Sequence, residues 1–241
     1  MANPDDGTEI ELKFQVPPER LAALRRALAT ASARTEDLRA VYFDTADGRL
    51  ARARLAWRLR REGGAWVQTL KGPGDGLAQR LEHELPRPDL PDAAAGDPPA
   101  PDAALHAGHP AALALQRALQ GRPVLPCHGT AITRLKRVVR HAGARVELAL
   151  DVGEVTAGDA RAPVAELELE LLSGPVPALL DLAARWAARY GLRPDPATKS
   201  ERAQWLQQGL LQRPVVRGDT PHPPAAQPLG TARATLLATT L

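Results

Sequence analysis

The sequence predicts an α+β fold in which antiparallel strands close into an eight-stranded β-barrel with helices flanking it. Three observations lead there. Seven stretches alternate charged with apolar residues, which is the two-residue period of a strand with unlike faces. Strands outnumber helices in the part of the chain that carries most of the charge. A sheet with this many two-faced strands must bury one face and deal with its edges, and closure does both.

In chain order, residues 9–16 alternate as a strand, and Pro17-Pro18 stops it. Residues 18–31 read as a helix with Leu21, Leu24 and Leu28 on one side. Residues 40–44 form a short strand that ends in a turn over 44–48. Residues 55–61 and 66–71 form a hairpin about Glu62-Gly63-Gly64, and residues 79–85 alternate again. Residues 87–109 are rich in Pro, Ala, Asp and Gly and read as a loop or mobile insertion outside the core. A short helix over 110–119 precedes a second hairpin, residues 131–140 and 144–150 about His141-Ala-Gly143. Residues 164–172 form a strongly alternating strand, and 176–190 and 197–208 read as amphipathic helices. Two parts are expected: one domain over residues 1–208, and a Pro-rich tail over 209–241 with no core of its own.

Composition bounds the function. Of 241 residues, 44% are hydrophobic and 24% charged, which suits an ordinary soluble core. Aromatic residues make up 3%, too few for a surface that stacks exposed bases. A net charge of +3, from 31 basic and 28 acidic residues, gives no reason to expect nucleic acid. Cys127 is the only cysteine, which rules out an internal disulfide and a cysteine-built zinc site. The first residues lack an apolar signal core, and no apolar run is long enough for a membrane span, so a cytoplasmic location is expected.

The alternation places charges together. Glu9, Glu11 and Lys13 share a face, as do Arg58 and Arg60, Thr69 and Lys71, and Arg80, Glu82 and Glu84. Arg134 and Lys136 repeat the pattern, followed by Glu147 and Asp151, then Glu166, Glu168 and Glu170. A single strand of this kind is also explained by a charged face meeting water. When the strands close, the charged faces line the interior. Clustered carboxylates then call for a hard cation, Mg²⁺ or Mn²⁺, and the Arg and Lys call for an anion with several oxygens. A metal-bound polyphosphate satisfies both sets.

Glu9-Ile-Glu11-Leu-Lys13 resembles the ExExK signature of CYTH-domain proteins, the triphosphate tunnel metalloenzymes. The likeness continues in order through Arg58 and Arg60, Thr-Leu-Lys71, Arg80-Leu-Glu82-His-Glu84, Arg134-Leu-Lys136, Asp151-Val-Gly-Glu154, Glu168-Leu-Glu170 and Lys199-Ser-Glu-Arg202, covering about residues 8–208. ELELELLSG, residues 166–174, is similar to bacterial inorganic triphosphatases whose CYTH domain precedes a helical CHAD domain, although no CHAD-sized region follows here. The resemblance implies an eight-stranded tunnel. It implies metal held by Glu168 and Glu170 with Glu9 or Glu11, and Glu82 and Asp151 as secondary acids. It also implies a phosphate grip by Lys13, Arg58, Arg60, Lys71, Arg80, Arg134 and Lys136, with Lys199 and Arg202 at one mouth. Some relatives pair a tyrosine with a tunnel lysine; Tyr42 is available, but the matching position is Arg134, which cannot act as a base. Water activation is left between a second metal and a carboxylate such as Glu11, so the catalytic candidates are Glu11, Lys13, Tyr42 and Arg134.

The expected reaction is hydrolysis of inorganic triphosphate. The same residues also suit an adenylate cyclase, a thiamine triphosphatase or an RNA triphosphatase, and a non-catalytic polyphosphate-binding module would keep the basic set. His83 reads as a packed side chain, and His106, His109, His128 and Cys127 receive no role.

Overall fold

The computed structural model describes residues 8–73, 79–91 and 99–210. The element order is β1 (Thr8–Gln15), α1 (Pro18–Leu28), β2 (Arg34–Asp44), α2 (Arg49–Arg52), β3 (Ala56–Glu62), β4 (Ala65–Pro73), β5 (Gln79–Pro86), a 3-10 turn (Ala103–His106) and α3 (Pro110–Leu119). There follow β6 (Leu125–His141), β7 (Ala144–Ala157), β8 (Ala160–Ser173), α4 (Val176–Tyr190), β9 (Arg193–Pro194) and α5 (Lys199–Gln207). The expected tail falls outside the described residues apart from 209 and 210, as do residues 92–98 of the expected insertion. Among the described residues no helix is long and apolar enough to cross a membrane.

The expectation of a closed eight-stranded barrel is corrected. One antiparallel sheet holds nine strands in the order β5-β4-β3-β2-β6-β7-β8-β1-β9. It curls until its first strand reaches β1, but that ladder spans only Thr8↔Leu81 to Ile10↔Gln79. By contrast, the β6–β7 ladder runs from Gly129↔Thr156 to His141↔Ala144. Further along β1, the short strand β9 pairs with Phe14 and Gln15 instead. The sheet is therefore a curled trough that is not sealed along its β1–β5 seam.

Its faces divide as the alternation requires. Phe14, Leu148, Leu150, Leu167 and Leu169 point outward and pack with Leu24 and Leu28 of α1 and Leu179 and Leu182 of α4 in one buried cluster. Trp57 and Leu70 point outward under Leu50, Ala111 and Leu115 of α2 and α3. Charged residues line the concave side. At one end α5 plugs that side, where Ala203 is wholly buried against Leu38, Ile132, Val155 and Val164.

The second hairpin is longer than expected, running over Leu125–His141 and Ala144–Ala157, so that it takes in Gly129 and Gly153. Both lie inside long strands. A Cβ at Gly153 would sit 2.0 Å from the Ala131 carbonyl oxygen and 2.9 Å from the Ile132 Cα. Glycine here permits the backbones to approach closely, as it does in tightly coiled sheets. Gly153→Ala is expected to cost about 3 kcal/mol, because backbone atoms must move rather than a flexible side chain. A urea midpoint equal to that of the parent protein would contradict this.

Residues 99–109 are also not the peripheral insertion expected. Gln68 Oε1 accepts hydrogen bonds from Arg87 Nη1 (2.6 Å) and the Asp102 backbone N–H (2.7 Å). Its amide therefore donates to the Asp102 carbonyl (2.7 Å) and to His106 Nε2 (2.9 Å). Trp57 Nε1 donates to the same His106 Nε2 at 3.1 Å. That nitrogen must be bare, so His106 carries its proton on Nδ1 and donates it to His83 Nδ1 at 3.0 Å. His83 also stacks on His109, with ring centroids 4.5 Å apart. Burial, with His83 and His109 nearby, lowers the His106 pKa to about 4. The unfolded chain takes up this proton near pH 6.5 while the folded chain refuses it until about pH 4. Stability is thus fully present above pH 6.5 and falls by roughly 3 kcal/mol as pH drops through that window. An NMR titration in which the His106 ring protonates near pH 6.5 would contradict the assignment.

Candidate functional site

The concave side of the trough encloses a cavity of about 740 Å³, lined by side chains from every strand from β1 to β8 and from α5. The strand period brings Glu9, Glu11 and Lys13 from β1 into it, with Tyr42 from β2, Arg58 and Arg60 from β3, Lys71 from β4 and Glu82 from β5. Arg134 and Lys136 of β6, Glu168 and Glu170 of β8 and Lys199 of α5 complete the set expected from sequence. Asp151 and Arg202 lie outside the lining: Asp151 pairs with Lys199, which belongs to it, whereas Arg202 pairs with Glu166 and Asp195, which do not. Arg80 pairs in the backbone with Glu9 and Pro73, and its side chain lies outside the described residues.

The expected metal carboxylates fall into two groups with opposite electrostatics. In the first, Arg134 clamps Asp151 with a forked pair of hydrogen bonds, Nε to Oδ1 at 2.6 Å and Nη2 to Oδ2 at 2.7 Å. Arg134 Nη2 also donates to Glu168 Oε2 at 2.6 Å. Lys199 Nζ lies 2.7 Å from Asp151 and 3.0 Å from Glu168. Burial alone would raise the pKa of Glu168, but Lys199, Arg134 and Lys13 together hold it well below the usual carboxylate range. These acids are already neutralised by fixed cations.

The second group has a surplus of negative charge. Glu11 and Glu170 are register partners across β1 and β8, and Glu147 partners Glu170 across β7 and β8. Among the described residues none of the three is in a salt bridge. Burial, then Glu147 and Glu82, push the Glu170 carboxyl up. Glu9 and Glu82 share Lys71, whose Nζ is 3.0 Å from Glu9 and 2.7 Å from Glu82. Burial, with Glu82 and Glu11 nearby, drives the Glu9 pKa up against the pull of Lys71, whereas burial of Glu82 is outweighed by Lys71, Glu9 and Arg58, which hold it down. No three acids among the described residues stand arranged around a common metal position. Their chemistry nevertheless fits one, because crowded anionic oxygens short of counter-charge are what a hard divalent cation relieves.

The phosphate candidates differ in how far they are engaged. Arg60 Nη2 lies 3.3 Å from Glu84 and also bridges to Glu62; Lys136 lies 3.1 Å from Glu36. Arg58 Nη1 donates to the Tyr42 hydroxyl at 3.4 Å, and the Tyr42 ring stacks on His128 at 4.6 Å. Burial raises the Tyr42 pKa, but Arg58, Lys199 and Lys71 more than offset that and bring it below its ordinary value. Tyr42 is thus coupled to Arg58 and not to Arg134, which stays charged throughout, held by Asp151 and Glu168 against the pull of burial.

Sequence reasoning assigned no site role to Glu36, Glu62, Glu84 and Glu147, all of which line the cavity. Glu84 and Glu147 obey the same two-residue period as Glu82 and Asp151, so the signal was present. Glu36 was missed because β2 begins six residues before the apolar run that marked it. Gln204 and Trp205 reach the cavity from α5, where no strand period could point to them. Burial and then Asp44 push the Cys127 thiol up to about 12, which disfavours the thiolate.

Residues 7–203 match the sequence profile described as the CYTH domain. An inorganic triphosphatase of Haemophilus influenzae is 28% identical over 204 residues, 82% of this chain and 54% of the relative. The chain therefore spans about half the length of that relative. Among solved structures, an adenylyl cyclase candidate from Hippeastrum with a dominant triphosphatase activity superposes with a TM-score of 0.51 at 19% identity, over 85% of this chain and 97% of that one. An adenylate cyclase candidate from Bacillus halodurans gives a TM-score of 0.52 at 17% identity, over 80% and 95%. At these identities the two structures bear on the fold alone.

Proposed function

This chain belongs to the CYTH domain family, and on that premise we propose that it hydrolyses inorganic triphosphate to pyrophosphate and orthophosphate in the trough. The observation that carries the reading is one cavity in which Lys13, Arg58, Arg60, Lys71 and Lys136 face the under-neutralised carboxylates Glu9, Glu11, Glu147 and Glu170. Five cations suit a highly charged chain of phosphates, and the guanidinium forks of Arg58 and Arg60 match phosphate oxygens. Glu9, Glu11 and Glu170 would hold Mg²⁺ or Mn²⁺, which when bound would neutralise charge on the phosphate oxygens.

The side chains then do three things. Lys13, Arg58 and Arg60 orient the substrate. Glu11 orients a water and takes its proton as the water oxygen attacks the terminal phosphorus. The bridging P–O bond breaks, and the electron pair leaves on pyrophosphate, whose charge Lys71 and Lys136 stabilise. Arg134, in the wall itself, keeps Asp151 and Glu168 in place. Trp205 at the α5 end of the cavity offers a ring on which an organic group could stack, which favours an organic triphosphate as the second reading.

The test is phosphate release from tripolyphosphate, ATP and thiamine triphosphate with Mg²⁺, Mn²⁺ or EDTA. Metal-dependent cleavage with tripolyphosphate preferred supports the first reading. Preference for ATP or thiamine triphosphate supports the second. Tight polyphosphate binding with no release sinks both and leaves a binding module.

A further inference from the structure

Glu166 of β8 received no role from its sequence, and its surroundings are unusual. It is wholly buried, and neither carboxylate oxygen has a hydrogen-bond partner. Three cations surround it without touching it: Lys199 Nζ at 3.5 Å, Lys13 Nζ at 3.8 Å and Arg202 Nε at 3.9 Å. Charged pairs in free contact close to about 2.8 Å. These stop short, so the attraction that offsets the burial of this charge acts across a gap.

Neighbouring bonds explain what Glu166 does. The register partner of Lys13 is Glu168, which would be its natural ion pair. Glu168 is already taken, with Oε2 by Arg134 at 2.6 Å and Oε1 by Lys199 at 3.0 Å. Among the described residues Glu166 is therefore the one salt-bridge partner of Lys13, and the ammonium makes no hydrogen bond. The Lys13 side chain lines the cavity.

We infer that Glu166 is a positioning residue that holds the Lys13 ammonium at the cavity wall by charge alone and leaves its N–H donors for a phosphate of the substrate. The inference rests on the triphosphate reading above. Without the buried charge, Lys13 turns onto Glu168 and spends its donors there. The substrate must then displace an internal bond to regain them.

Steady-state hydrolysis of tripolyphosphate by Glu166→Gln, Lys13→Ala and the double variant tests this. Glu166→Gln is expected to raise KM about tenfold with kcat within about twofold, since one charge-assisted contact in the bound complex is lost. In the Lys13→Ala background the same change is expected to raise KM no further. An unchanged KM, or equal rises in both backgrounds, overturns the inference, because Glu166 then acts on the fold at large. Glu166→Asp keeps the charge and is expected to stay within about threefold of the parent KM. A rise of about tenfold or more in this variant overturns the inference too, and it decides the matter if the glutamine form does not fold. A parent protein inactive on tripolyphosphate would instead strike the triphosphate reading itself.

Discussion

Glu170→Ala is expected to cut metal-dependent phosphate release at least about a hundredfold while leaving thermal stability equal or slightly higher. The two effects have opposite signs for one reason. Glu170 sits beside Glu11 and Glu147 in the strand register, and no fixed cation pairs with it among the described residues. Its carboxyl is pushed up by burial and by those neighbours, so removing it relieves repulsion in the empty protein. On the proposed reading, removing it also deletes one of the carboxylates that would hold the divalent ion. Phosphate release at saturating Mg²⁺ and a thermal melt, read together, check both halves. Activity within about threefold of the parent takes Glu170 out of the metal set. A Tm lower by several degrees would show that its carboxylate supports the fold.

Arg134→Ala should behave in the opposite way. It would leave Asp151, which is 1% exposed, and Glu168 with Lys199 as their remaining close cation. Breaking a buried ion pair from one side strands an uncompensated charge, which costs about 3–5 kcal/mol. The denaturant midpoint should fall accordingly, and Arg134→Lys should recover only part, because an ammonium cannot reproduce the fork. Arg134→Ala combined with Asp151→Asn should be less damaging than Arg134→Ala alone, since the stranded charge is gone. A double variant that is worse than the single one would refute this account.

The concave wall was legible because its signal is local. An alternating strand commits every second side chain to one face whatever the tertiary context, so Glu9, Arg58, Lys71, Glu82, Arg134 and Glu168 could be placed together from the sequence. What it left open depends on contacts between distant segments. The division of the acids into a paired group and a crowded group turns on Lys199, delivered by α5, which begins well after β8 ends at Ser173. The role of residues 99–109 rests on Gln68, Trp57 and His83, which lie on the outward faces of three different strands. The seam failed for a similar reason. Closure was inferred from the need to hide edges, but β1 divides its free edge between β5 and β9, and each takes only a few residues.

That division of β1 also bears on how the protein is made. Its longest ladder is with β8, Glu11↔Glu170 to Gln15↔Glu166, so the earliest of the described strands waits for almost the last of them. The β6–β7–β8 meander can form early from neighbouring segments, but β1 can dock only afterwards, a slow step of high sequence separation. Glu9 and Glu11 meet Glu170 in that same step. A chain whose β1 has not yet docked holds Glu147 and Glu170 together but lacks Glu9 and Glu11 beside them, so on the proposed reading activity is expected only once the whole sheet has been assembled.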